Sequence, residues 1–294
     1  MAVWHDLTVK DEPRTRSIDI PGGQIEAFKL PGGRGGTPLV VLGGVETGLR
    51  PLAGTETVLL RRWSGRAAHR PVTVIGRPLP HDPADADRLM HPRLAAQATA
   101  KALDALELHG VAIEAESGGG RISLWLTVDR PDLVQRLVLA SVASETPPDS
   151  PMAERMSRWI AMAEAGDWGI FFAAMAQAMK AAKESEAPSF AAAAKLQPRP
   201  ATPERFIGEL KATLDPTSFA TARLGEIAVP TLILAGGQDQ VVPPAATRLV
   251  AERIPGARLH VDPDCGHTVR TSFRGYDELV EAFLADGDPR GNAP

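Results

Sequence analysis

Short, predominantly apolar runs, spaced so that a helix fits between most of them, constrain this chain most. Leu39-Val40-Val41-Leu42 ends in Gly43-Gly44, and Val72 to Ile75, Val111 to Ala115, Leu137 to Ala140 and Thr231 to Ala235 repeat the theme. A strand apolar on both faces must be covered on both, which is the condition of an interior parallel strand. Helical stretches between the runs, Leu94 to Leu108 and Pro244 to Arg253 among them, supply that cover. Ahead of them, Arg16 to Ile20 and Gln24 to Phe28 alternate around Pro21-Gly22-Gly23, as a β-hairpin does. A last short strand, Arg258 to Val261, leads to a terminal helix, Gly275 to Leu284, and a tail from Asp286 expected to fray. The expected fold is α/β, with a mostly parallel central sheet and helices on both faces.

The rhythm breaks between Thr146 and Glu226. Pro147-Pro148 opens this region, and helical spacing of Met152, Met156, Trp159 and Ile160, then of Trp168, Phe171, Phe172, Met175 and Met179, replaces the apolar strand runs. Residues 1–145 and 227–294 are therefore expected to form the core, and 146–226 an inserted helical cap with an alanine-rich patch at Ala191 to Ala194. The cap's apolar stripes are first of all helix packing. Their apolar rings and thioethers also suit a pocket wall, so Trp159, Phe171, Phe172 and Met175 are the candidate substrate contacts, and methionines adapt to varied apolar shapes.

Composition excludes several classes. With 294 residues the chain can bury a large core, and its net charge of −4 lacks the concentrated basic face that nucleic acid or an anionic membrane requires. One cysteine, Cys265, forbids an internal disulfide. No basic-then-apolar leader opens the sequence and no stretch is long and apolar enough to span a bilayer, so a soluble, cytoplasmic protein is expected. A homodimer is left open. His81 and His91, near Asp82, Asp85 and Asp87, lack metal-ligand spacing and read as solvated loop residues. No metal or organic cofactor is required.

The chemistry centres on Ser117. The segment Ala115-Glu116-Ser117-Gly118-Gly119 is small-x-Ser-x-small between an apolar run and a helix-compatible stretch, Arg121 to Val128. Such a turn exposes a serine hydroxyl, and its small residues allow strand and helix backbones to approach. Asp239 follows the run Thr231 to Ala235, and His267 follows the last strand within Pro263-Asp264-Cys265-Gly266-His267. Serine needs a base, and the base needs an orienting partner. The bland alternatives are a helix-capping serine, a turn aspartate and a structural loop histidine. Glu145, just beyond Leu137 to Ala140, is a rival acid whose flanking residues fit less well. Cys265 reads as a buried, inert thiol, and Glu116 carries no assigned role.

From about residue 16 to 285 the chain resembles the α/β-hydrolase family, whose order of nucleophile, acid and histidine matches Ser117, Asp239 and His267. Gly236-x-x-Asp239-x-x-Val242-Pro243 and Gly266-His267 are similar to the family's acid and histidine loops. Ala115 stands in place of the first glycine of the serine motif, and Gly43-Gly44 in place of the family's His-Gly. The resemblance implies an oxyanion hole of the Gly118 and Val45 backbone N–H groups. It also implies an acyl-enzyme serine hydrolase acting on an ester, lactone or thioester of a small, mostly apolar molecule. Two other classes stay in play: a hydrolase-like ligand-binding protein, and non-hydrolytic cyclase, acyl-transfer or lyase chemistry on the same fold.

Overall fold

The computed structural model describes residues 14–180, 200 and 202–285. One nine-stranded sheet runs in the order β1 (Arg14–Ile20), β2 (Gly23–Lys29), β4 (Val72–Ile75), β3 (Leu39–Leu42), β6 (Val111–Glu116), β7 (Val134–Ala140), β8 (Thr231–Gly236), β9 (Arg258–Asp262). A two-residue strand that the apolar pattern does not reveal, β5 (Leu79–Pro80), pairs with β2 off this path. β1 and β2 make the antiparallel hairpin, with Gly22 at φ 83 in its turn. β2 meets β4 antiparallel, and every pairing from β4 across to β9 is parallel.

Strand alternation divides the core into two layers. Val40 and Leu42 of β3 and Ile113 of β6 face α4 (Pro92–Ala105) and α5 (Gly118–Asp129). Leu39, Val41 and Ala112 face the other way, toward α2 (Glu56–Ala67) and α11 (Tyr276–Ala285). Each aliphatic side chain removed from water in these layers is worth about 1.5–3 kcal/mol. α4 starts two residues earlier than its apolar spacing indicates. Pro92 suits a first turn, and the His91 ring accepts the Arg93 N–H (3.3 Å). It ends before Glu107, which turns the backbone to φ 55.

Between β7 and β8 the chain leaves the sheet to form α6 (Pro151–Glu164), α7 (Trp168–Met179) and α8 (Pro203–Ala212). Ser150 starts α6 by accepting the Ala153 N–H at 3.1 Å, ahead of Pro151 at the first helical position. Edge-on contacts among Trp159, Trp168, Phe171 and Phe206, with ring centroids 5.3–6.0 Å apart, hold the three helices together. Ala191–Ala194 and the tail from Asp286 lie outside the described residues. Among those described, no helix is long and apolar enough to cross a membrane.

Candidate active site

The carboxyl ends of β3, β6, β8 and β9 converge on one cavity of about 230 Å³, roofed by side chains of α6, α7 and α8. Ser117 joins β6 to α5 with φ 50 and ψ −118, a left-handed conformation that costs a non-glycine residue on the order of 1–3 kcal/mol. Two backbone bonds hold it there: Ser117 N–H donates to Ala140 O (2.9 Å), and Gly120 N–H donates to Ser117 O (2.9 Å). The helix begins at Gly118, and glycine is needed at the two positions that follow because other groups approach them closely. A Cβ on Gly119 would overlap the Leu42 and Gly43 carbonyl oxygens, and one on Gly120 would overlap the Val142 side chain.

His267 Nε2 lies 3.1 Å from Ser117 Oγ, and His267 Nδ1 lies 2.7 Å from Asp239 Oδ2. The other Asp239 oxygen accepts the Val241 and Val242 N–H groups, each at 2.8 Å. A carboxylate with no proton to give makes Nδ1 the donor, which leaves Nε2 free to accept the serine proton. Gly236 and Gly237 explain how the acid and histidine loops meet. A Cβ on Gly236 would overlap the Gly266 carbonyl, while Gly237 N–H and Gln238 N–H donate to Asp262 O (2.7 Å) and Cys265 O (2.9 Å). His267 N–H donates in turn to Met179 O (3.0 Å) at the end of α7, tying the histidine to the helical insertion.

Burial alone would disfavour the His267 imidazolium. The Asp239 charge, the hydrogen bond to it and the nearby Glu116 charge together outweigh that cost, so the pKa lies above its ordinary 6.5. The ring's Nδ1 is bonded to Asp239 and not to Glu145, the rival acid.

Gly118 and Val45 begin α5 and a short helix, α1 (Val45–Leu49), so neither N–H has an acceptor within its own helix. Both residues line the cavity beside Ser117, together with Gly44. Of the four expected pocket residues, Trp159 and Met175 line the cavity. Phe171 and Phe172 do not. Phe171 is fully buried one layer back, edge-on to Trp159 at 6.0 Å, and Phe172 packs against Phe206 at 5.8 Å. Both belong to the insertion's aromatic cluster, because one helix turn separates Phe171 from the cavity-facing Met175. Cys265 is buried, and His91 caps α4 and pairs with Thr217 Oγ1 (3.1 Å).

Several charged residues to which the sequence assigns no role lie in or near this region. Arg77 clasps Glu209 of α8 through Nε (3.0 Å) and one terminal nitrogen (2.9 Å), and that nitrogen also donates to Gly43 O (2.9 Å). Arg205 of α8 donates to Leu49 O (3.2 Å) and Arg77 O (3.1 Å). Arg62 pairs with Glu116 at 2.7 Å on the cavity wall. Glu114, inside β6, is held by Arg66 Nε (2.9 Å) and the Tyr276 hydroxyl (3.0 Å). Arg121 could have been read from the sequence: four residues after Ser117, it falls in the first turn of the helix that follows the serine, and it lines the same cavity.

Residues 85–269, more than half of the chain, match a family model described as the alpha/beta hydrolase fold. A 2-hydroxymuconate semialdehyde hydrolase of Pseudomonas sp. strain CF600 is 28% identical over 199 residues, covering 63% of this chain and 66% of the relative. A pimeloyl-acyl-carrier protein methyl ester esterase of Nitrosomonas europaea is 29% identical over 180 residues, covering 57% and 67%. The chain spans about two thirds or less of the length of such curated relatives, down to 21% for one of them. Est816, described as an N-acyl homoserine lactone degrading enzyme, superposes with a TM-score of 0.70 at 24% identity, covering 91% of this chain and all of its own.

Proposed function

The chain belongs to the alpha/beta hydrolase fold family, and from that premise we propose that it is a serine hydrolase with Ser117, His267 and Asp239 as its catalytic triad. The observation that carries this reading is the hydrogen-bonded line from Ser117 Oγ through His267 to Asp239 on the floor of the cavity. As Ser117 Oγ attacks a carbonyl carbon, its proton passes to His267 Nε2, and Asp239 stabilises the imidazolium. The carbonyl oxygen, now anionic, receives the Gly118 and Val45 N–H groups, each such donor typically worth about 3 kcal/mol in the transition state. His267 returns the proton to the leaving group. Water, deprotonated by the same nitrogen, then releases the acyl group from Ser117.

In this reading residues 146–226 form the cap, and the apolar Trp159, Met152, Met156 and Met175 on the cavity wall favour a small, mostly apolar ester, lactone or thioester. A cytoplasmic enzyme with a small-molecule substrate is part of the same proposal.

The test is intact-protein mass after fluorophosphonate treatment, followed by peptide mapping. One adduct, on Ser117, is expected. A folded protein that stays unlabelled and turns over no p-nitrophenyl ester would overturn the proposal in favour of a ligand-binding protein.

The pH profile offers a second check. His267 must be neutral to accept a proton, and its pKa is raised, so activity is lost on acidification at a pH above 6.5. The acid limb of kcat/KM is expected above that value, and Glu116→Gln should move it down, since one source of the upward shift is gone. An acid limb at or below 6.5, unmoved in the variant, would contradict the assignment.

A further inference from the structure

The corner of the cavity beside α5 and α8 holds more positive than negative charge. Arg77, Arg121 and Arg205 are all buried there. Glu209 is the one carboxylate in contact with any of them among the described residues, and Arg77 takes both of its oxygens. Arg205 has only neutral partners in contact, two carbonyls and the Thr202 hydroxyl, and its Nε has none, but it does not line the cavity. Arg121 differs. It lines the cavity with Ser117 at 6% exposure, and its protein partners are neutral: Thr146 Oγ1 (2.8 Å) and Thr213 O (3.3 Å). Glu209 and Glu145 act on it only from beyond contact, and burial brings its pKa down to about 10. A buried charge without a counter-ion in contact is costly to maintain, and proteins keep one where something arrives to pair with it.

We propose that Arg121 is the specificity residue of this cavity, and that the substrate carries a carboxylate a few bonds from its scissile carbonyl. This deepens the serine hydrolase reading and rests on it. The planar guanidinium matches a carboxylate in shape and charge, and burial strengthens that pairing while excluding water. Position fixes the spacing. Arg121 lies in the first turn of α5, four residues after Ser117, and both line the cavity, so an anion paired with it lies alongside the acyl group rather than outside the cavity. The other cation on the wall, Arg62, is already neutralised by Glu116, so the cavity selects one negative charge on an otherwise apolar body. The Thr146 and Thr213 bonds hold the guanidinium in place before substrate arrives.

The experiment compares p-nitrophenyl hydrogen esters of dicarboxylic acids, from succinate to suberate, with the same esters capped by methyl at the far carboxylate. The quantity read is the ratio of kcat/KM for the acid to that for its capped twin within one protein sample, so incomplete folding of a variant cancels. Wild type is expected to prefer the acid at its best chain length by on the order of tenfold to a hundredfold, the range of a charge-assisted hydrogen-bonded pair. In Arg121→Met that ratio should collapse to about one, chiefly through KM, with Arg121→Lys in between. A wild-type ratio at or below one across the series overturns the proposal, as does a preference that survives in Arg121→Met. Turnover of capped esters with labelling of Ser117 would then leave the hydrolase reading intact. Absence of both would sink the two together.

Discussion

Replacing Ser117 by alanine is expected to lower ester turnover by about 10⁵- to 10⁶-fold, to the level that binding and the oxyanion donors alone sustain. In the proposed mechanism the Oγ attacks the carbonyl while handing its proton to a base 3.1 Å away, His267 Nε2. The substitution keeps the backbone at φ 50 and removes a single partly buried hydrogen bond, so stability should change little. Steady-state kinetics and thermal unfolding on the same preparation check both halves. Turnover above about one per cent of wild type, free of contaminating esterase, would refute a nucleophilic Ser117, because no such fraction survives loss of a true nucleophile.

The second large effect is expected at Asp239, where asparagine should lower kcat by about 10⁴-fold without displacing its neighbours. Asparagine can keep an oxygen toward the Val241 and Val242 N–H groups, now served by Asp239 Oδ1. Its amide nitrogen then faces His267 Nδ1. Donor facing donor forces the other tautomer, whose Nε2–H points at Ser117 and cannot take a proton. Glu145→Gln is the paired control and should leave kcat close to wild type, since the ring's Nδ1 is already bonded to Asp239. If the large loss fell on Glu145→Gln instead, the acid assignment would be reversed. The two variants measured side by side decide it.

Much of this architecture is legible from residue order because it rests on local rules. Apolar runs buried on both faces specify the parallel strands, and the glycines after Ser117 and after β8 specify where backbones must touch. Ser117, Asp239 and His267 each follow such a run, so topology alone brings them to one edge of the sheet. What escaped depends on partners distant in sequence. Glu114 interrupts β6 with a charge that makes sense only beside Arg66 and Tyr276. Glu209 is one more helical glutamate until Arg77, 132 residues away in sequence, is found against it. Phe171 and Met175 share a helical stripe, and periodicity cannot say which turn of that stripe reaches the cavity. β5 is too short to leave any pattern.

The clasp between Arg77 and Glu209 limits how this scaffold can be recombined. Arg77, just after β4, grips the Gly43 carbonyl next to Val45, while its counter-charge is supplied from the inserted helices. The two parts are therefore not interchangeable modules. A chimera that grafts a foreign insertion onto this core without an acidic residue at the place of Glu209 would leave a guanidinium stranded under the graft. The disturbance would pass directly into the Gly43–Val45 loop. Chimeras that retain Glu209, or that also replace Arg77 with an apolar residue of similar volume, are the ones expected to fold with that loop undisturbed.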